Sequence, residues 1–165
     1  MKKLAFLLLL IPFAFSAFAQ ADAIEYNDMI VGEQTKIYTK IADFSNAESN
    51  EDMELALKIL QQQIEASIAA VKKLGAWHED AALQASTLRL FDFYKTITIT
   101  EYREMLDIMK HEQLTQEDVS RLEVLQDAVV EKEKKHDDDF AYNQDAFAKR
   151  WGFELAPIVE EPADY

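Results

Sequence analysis

The sequence predicts an all-α protein, an up-down-up-down four-helix bundle with an extended C-terminal tail. Three observations carry that reading. The 165 residues include three Gly and three Pro, and two of the prolines, Pro157 and Pro162, fall in the last nine positions. A sheet protein needs turn residues about every 8–12 positions, and this chain has nowhere to put them. Apolar residues instead recur three, four and seven apart through four long stretches, separated by short polar breaks, as amphipathic helices require. Four such stripes joined by short loops bury themselves most economically against one another.

Ahead of the bundle lies a leader. Met1-Lys2-Lys3 is a short cationic start, Leu4 to Phe15 is apolar, and Ala17-Phe18-Ala19 fits the small-x-small rule of a signal-peptidase site. The apolar run falls short of the roughly 20 residues that span a bilayer, and the acidic sequence after it supplies no stop-transfer. Residues 1–19 are therefore expected to be a signal peptide, cleaved between Ala19 and Gln20. Export to the periplasm or the medium follows, with 20–152 as the bundle domain and 153–165 as the tail.

The first helix is expected from about Ala21 to Phe44, with Ile30, Ile37, Ile41 and Phe44 on one face and Asn27 and Gln34 on the same stripe. Ser49, three residues before Asp52, starts the second helix with a capping-box-like pair. That helix, Asn50 to Leu74, carries Met53, Leu57, Leu60, Ile64, Ile68, Val71 and Leu74, gaps that average about 3.5 residues. Lys72 and Lys73 suit its carboxyl end, and Gly75 is placed to stop it.

A third helix is expected from about Glu79 to Gln113, burying Leu83, Leu90, Phe91, Tyr94, Ile97, Met105 and Met109. Thr96 to Thr100 alternates like a strand, but both flanks keep helical period, so the helix is read as continuous. Thr115 and Asp118 form a capping box that opens the fourth helix, with Leu114 able to staple onto Val119. This helix runs to about Arg150 through Leu122, Leu125, Val129, Phe140 and Phe147, and Gly152 ends it.

Composition excludes several functions. The whole chain carries a formal net charge of −14. Cleavage removes two of the 17 cationic side chains and none of the 31 acidic ones, which leaves −16. Nucleic acid and anionic lipid are repelled by such a surface, because their binding rests on neutralising phosphates. Cationic partners are allowed. Cysteine is absent, which excludes disulfides, thiolate metal sites, c-type haem, Cys nucleophiles and a lipoprotein anchor. No Gly-rich phosphate loop occurs, since Gly32, Gly75 and Gly152 lie far apart.

The fourth helix places polar residues on its inward stripe. Between Val129 and Phe147 the seam passes through Glu133, His136, Phe140 and Asn143. Buried Glu and His demand partners. Folding helices three and four back on each other sets Tyr94 opposite His136 and Ile97 opposite Glu133. Helix one adds either Asn27, with Tyr26, or Gln34, according to how its level is counted. The expected polar layer is thus His136, Glu133, Tyr94 and Asn27 or Gln34, read either as a ligand pocket or as a structural hydrogen-bond layer.

Glu133-x-x-His136 also matches one step of the ferritin-like di-iron motif, but no second Glu-x-x-His pair precedes His78 or His111. His136 and Glu133 with an Asp of Asp137-Asp138-Asp139 are the best candidates for a single metal. Those aspartates point to different sides of the helix, as a solvated run does, so no metal is assigned. Met29, Met53, Met105 and Met109 read as core filler, not as haem ligands, and no cofactor is expected.

Tyr26-Asn27-Asp28-Met29-Ile30-Val31-Gly32-Glu33-Gln34 resembles the opening helix of a family of uncharacterised bacterial exported surface proteins. The resemblance implies an exported surface protein and brings no activity with it. Members of that family carry lipid-anchoring cysteines, which this chain lacks. The expected function is a non-enzymatic binding or structural protein of the cell envelope, with a protein or a small cation as partner and no stable membrane anchor. The alternative is a bundle that binds a metal or small ligand through the layer around His136.

Overall fold

A computed structural model describes residues 11–156, with side chains from residue 19 onward. Five helical segments follow in order: α1 (Ile11–Ser45), α2 (Asn50–Leu74), α3 (Ala82–Ile99), α4 (Glu101–Met109) and α5 (Gln116–Trp151). Segments α3 and α4 form one interrupted rod, so the fold is an all-α four-helix arrangement, with no strand among the described residues. Cross-contacts run antiparallel between successive rods. Tyr26 reaches Gly75 while Glu33 meets Ser67; Gln84 reaches Val71 while Gln61 meets Thr98.

The start of the leader, residues 1–10, and the tip of the tail, residues 157–165, lie outside the described residues. Residues 11–19 continue α1 without a break, so the helix extends ahead of its expected start at Ala21. No helix among the described residues is long and apolar enough to cross a membrane.

Helix α2 forms as its pattern requires: Leu57, Leu60, Ile64, Ile68 and Val71 are buried. Its ends are set by local chemistry. Ser49 Oγ accepts from Asp52 N at 3.1 Å, and Gly75 closes the helix at φ 74°, in the left-handed region that other residues avoid. Helix α5 begins with the complete capping box. Asp118 N donates to Thr115 Oγ1 at 3.1 Å and Thr115 N donates back to Asp118 Oδ2 at 2.9 Å. Leu114 and Val119 both remain exposed, so the expected staple does not form a buried contact.

Two expectations fail between α2 and α4, each for a local reason. Helix α3 starts at Ala82, not Glu79, because Trp77 and Asp80 exchange backbone hydrogen bonds across a tight turn, N to O at 3.2 and 2.8 Å. Asp80 Oδ1 then receives Ala82 N at 3.2 Å. The second failure is at Thr100, where φ −104° and ψ −88° interrupt the rod. The hydroxyls of Thr96, Thr98 and Thr100 bond back to the carbonyls of Asp92, Lys95 and Thr96 at 2.8–3.0 Å. Such back-bonding competes with the helix ladder and bends it. Gln61 on α2 donates to the Thr98 carbonyl at 3.1 Å.

The break changes which face of the rod is buried. Leu106 and Ile108 enter the interior on α4, whereas Met105 and Met109, expected there, are only partly buried. The interior accordingly divides. A large cluster runs through all four rods and includes Ile30, Ile64, Leu90, Phe91, Tyr94 and Phe147. A small one, Phe44, Leu57 and Leu106, sits at the end formed by the 46–49 and 110–115 connections.

Candidate functional site

Helices α1 and α5 close the bundle, yet they meet far more sparsely than α1 meets α2 or α3 meets α5. Between them lies a groove of about 910 Å³, within the roughly 300–1,000 Å³ range of small-molecule sites. Its walls are mainly apolar, from Ile24 and Val31 on α1 and Phe140 and Ala141 on α5. The start of the tail forms a further side. Gly152 adopts the left-handed conformation, φ 78° and ψ 33°, which turns the chain so that Phe153 stacks edge-on against Phe147 at 6.0 Å. Leu155 and Ala156 then border the groove.

One end of the groove is polar. The Tyr94 hydroxyl donates to Glu133 Oε1 at 2.9 Å and lies 3.2 Å from the Tyr38 hydroxyl. Tyr38 Oη in turn lies 3.3 Å from Asp137 Oδ1 and accepts from Gln34 Nε2 at 3.0 Å. Three helices thus contribute to a chain of two phenols and two carboxylates. Burial, then the charges of its neighbours, pushes the Tyr94 phenol well above its ordinary range. Burial also raises Asp137, helped by the Glu133 charge, to about 6.

The structure brings together part of the expected set. Tyr94 and Glu133 touch, and Gln34 joins them through Tyr38. Of the two levels considered for helix one, the one carrying Gln34 therefore meets the layer. Asn27 lies farther along the groove, buried, where its Oδ1 accepts from Gln144 Nε2 at 2.9 Å. His136 stands apart. Helices three and four pair about one turn out of the expected register, so Tyr94 faces Glu133 and not His136. The His136 ring instead stacks on Phe93, with centroids 4.7 Å apart and planes 17° from parallel. Burial, then Lys135, lowers its pKa. Asn143 is bonded within its own helix, to the Asp139 carbonyl at 2.7 Å.

Tyr38 joins the layer unexpectedly, and Asp137, expected only as one of three candidate metal ligands beside His136 and Glu133, enters it as well. Each lies four residues beyond a residue already on the stripe, Gln34 and Glu133, which is the helical signal that finds them. The aspartate run splits by role: Asp137 enters the layer, while Asp139 receives Arg89 Nε and Nη2 at 2.9 and 2.6 Å. Among the described residues no group of three or more His, Asp or Glu side chains is placed to hold a metal ion.

Two measurements follow from this geometry. His136→Ala should cost about 0.5–1.5 kcal/mol, the scale of a lost aromatic stack. Tyr94→Phe should cost about 1–3 kcal/mol, because it strips Glu133 of a partner in a half-buried site. Urea midpoints of the two variants check the order, and a larger loss for His136→Ala would restore it to the layer.

The pH dependence has a definite sign. Asp137 is raised from 3.8 to about 6, so between those values the folded state holds a proton that the unfolded state has lost. Its contribution to stability therefore falls as pH rises from about 4 to 6. Glu54, Glu101, Glu104 and Asp118 are lowered, and their loss of stability comes at lower pH, below their ordinary values. Thermal midpoints between pH 4 and 7 should show the parent gaining on Asp137→Asn as the solution is acidified. Parallel curves would contradict the assignment.

No protein-family model, curated protein or solved structure matches the chain.

Proposed function

We propose that this chain is an exported, non-enzymatic binding protein of the cell envelope, and that the groove between α1 and α5 holds its ligand. The groove itself carries the reading. It is large enough for a small molecule and mainly apolar, with Gln34, Tyr38 and Asp137 at one end, Asn27 and Gln144 farther along, and the exposed Asp28 and Glu154 also lining it, a sparse polar lining of the kind that gives orientation and specificity in ligand sites. Export is supported by the cationic and apolar leader, by the small-x-small pattern Ala17-Phe18-Ala19, and by the likeness of residues 26–34 to the opening helix of exported surface proteins. Gln20 donates its side-chain amide to the Gly152 carbonyl, so a chain beginning there retains a tie between its first residue and the end of α5.

The test is a thermal-shift screen of the cleaved protein against small amphiphiles of positive, zero and negative charge, run beside Ala141→Trp. Ala141 lines the groove and is exposed, so the substitution fills the site without entering the core. A ligand selective for the native state raises the melting temperature, and the rise should vanish in the filled variant. Failure of every compound to shift the parent would overturn the reading. The mass of the exported product, beginning at Gln20, checks the cleavage.

A further inference from the structure

Resting on the groove as the ligand site, we infer that its occupant is a monocationic amphiphile. The ammonium head would sit at the Tyr38–Asp137 end, with the apolar body along Ile24, Val31 and Phe140. Three observations lead there.

The first is charge. The ionisable carboxylates lining the groove are Asp28, Asp137 and Glu154, and no Lys or Arg lines it. Among the described residues, none of these three and not Glu133 takes part in an ion pair. Of the nearby cations, Arg89 pairs with Asp139 and Lys132 with the buried Glu101, while Lys134 and Lys135 are exposed on α5 and do not line the groove. Two carboxylates, Glu133 and Asp137, therefore stand one helical turn apart at the end of an apolar trough with no counter-charge from the chain. Half-buried anions in that position are disfavoured, and the upward displacement of Asp137 registers the cost. A cation at this point offsets it; an anion adds to it.

The second is the chemistry of the head site. Tyr38 lines the groove beside Asp137, and its ring meets that of Tyr94 edge to face at 5.9 Å and 76°. Phenol rings next to a carboxylate favour an ammonium group, by attraction to the ring face and to the anion together. Asp28 and Glu154 are exposed to solvent, whereas Asp137 is partly buried beside Glu133, so the head site matches a single positive charge.

The third is the body. From Ile24 to Tyr38 the α1 wall runs about 21 Å at 1.5 Å per residue, with Val31 between them and Phe140, Ala141 and Leu155 opposite or alongside. Such a trough takes an alkyl or similar apolar chain and offers it little to hydrogen-bond.

Calorimetric titration of the cleaved protein with octylammonium, octanol and octanoate separates the possibilities, since the three share a body and differ in head. Octylammonium should bind at least tenfold more tightly than octanol, and octanoate should bind more weakly than either. Asp137→Asn should erase the tenfold preference of octylammonium over octanol, and Ala141→Trp should abolish binding of both. The preference should persist at about 0.5 M salt, where attraction to the general acidic surface is screened. Octanol or octanoate binding as tightly as the amine, a preference that survives Asp137→Asn, or one that collapses in salt would each overturn the inference while leaving the groove as a site. If none of the three binds, the groove reading falls with it.

Discussion

Ile64→Asp is expected to abolish the cooperative unfolding transition at neutral pH. Ile64 has no solvent exposure and belongs to the main interior cluster near the middle of α2. Loss of the side chain alone forfeits about 2–5 kcal/mol, as large-to-small core changes do. The introduced carboxylate then adds a further penalty, because a buried charge without a partner costs several kcal/mol or must take up a proton. Together these approach the roughly 5–15 kcal/mol that holds a domain of this size folded. Circular dichroism on heating reads the result. A melt resembling the parent's would mean that α2 presents a different face to the interior.

Phe147→Ala should cost about 3–5 kcal/mol, the range for removing a buried aromatic ring. Phe147 is 2% exposed and meets Tyr26 at 5.6 Å, Phe153 at 6.0 Å and Trp151 at 6.3 Å. Tyr26 also packs on Trp77 at 5.3 Å, and Trp77 meets Trp151 edge to face at 5.9 Å. The deletion therefore opens a cavity in the middle of an aromatic group that joins α1, α5, the 75–81 connection and the tail. The sequence contains two tryptophans and both are in this group, so tryptophan emission, excited selectively, reports on it alone. The variant's emission should move to longer wavelength as water reaches the indoles, alongside a lower urea midpoint. A loss below about 1 kcal/mol with unchanged emission would show that the group repacks without the ring.

The parts of the fold that were legible are those decided within one or two helical turns. Periodicity marked the buried face of α2, and the Thr115–Asp118 pair and Gly152 marked the ends of α5, because caps and stripes are local chemistry. Thr96 to Thr100 was readable as a conflict, strand-like residues inside a helical stretch. Its outcome was not, since it depends on hydroxyl back-bonding and on Gln61 of α2 donating to the Thr98 carbonyl. The polar layer shows the same division. That Glu133 and Tyr94 lie inward follows from helical spacing. Which residue each one meets depends on register between rods, where a displacement of one turn exchanged His136 for Glu133. The groove has no local signature at all. It arises where α1 and α5 fail to close fully, and more than a hundred residues separate the two walls.

The division of the interior at Thr100 has a consequence for how the molecule opens. Phe44, Leu57 and Leu106 form a satellite linked to the main cluster chiefly through the partly buried Tyr102, whose ring stacks on Phe44 at 5.1 Å. Among the described residues Tyr102 is the one side chain packed against both clusters, so α4 with the adjoining end of α1 and starts of α2 and α5 can come apart as a subglobal unit while the remainder stays assembled. Native-state hydrogen exchange should then sort the amides into two classes, with those of α4 released through a cheaper opening than those in the middle of α2 and α3. The groove, between Ile24 and Tyr38, lies toward the more protected class. Breathing at one end of the bundle would leave it intact.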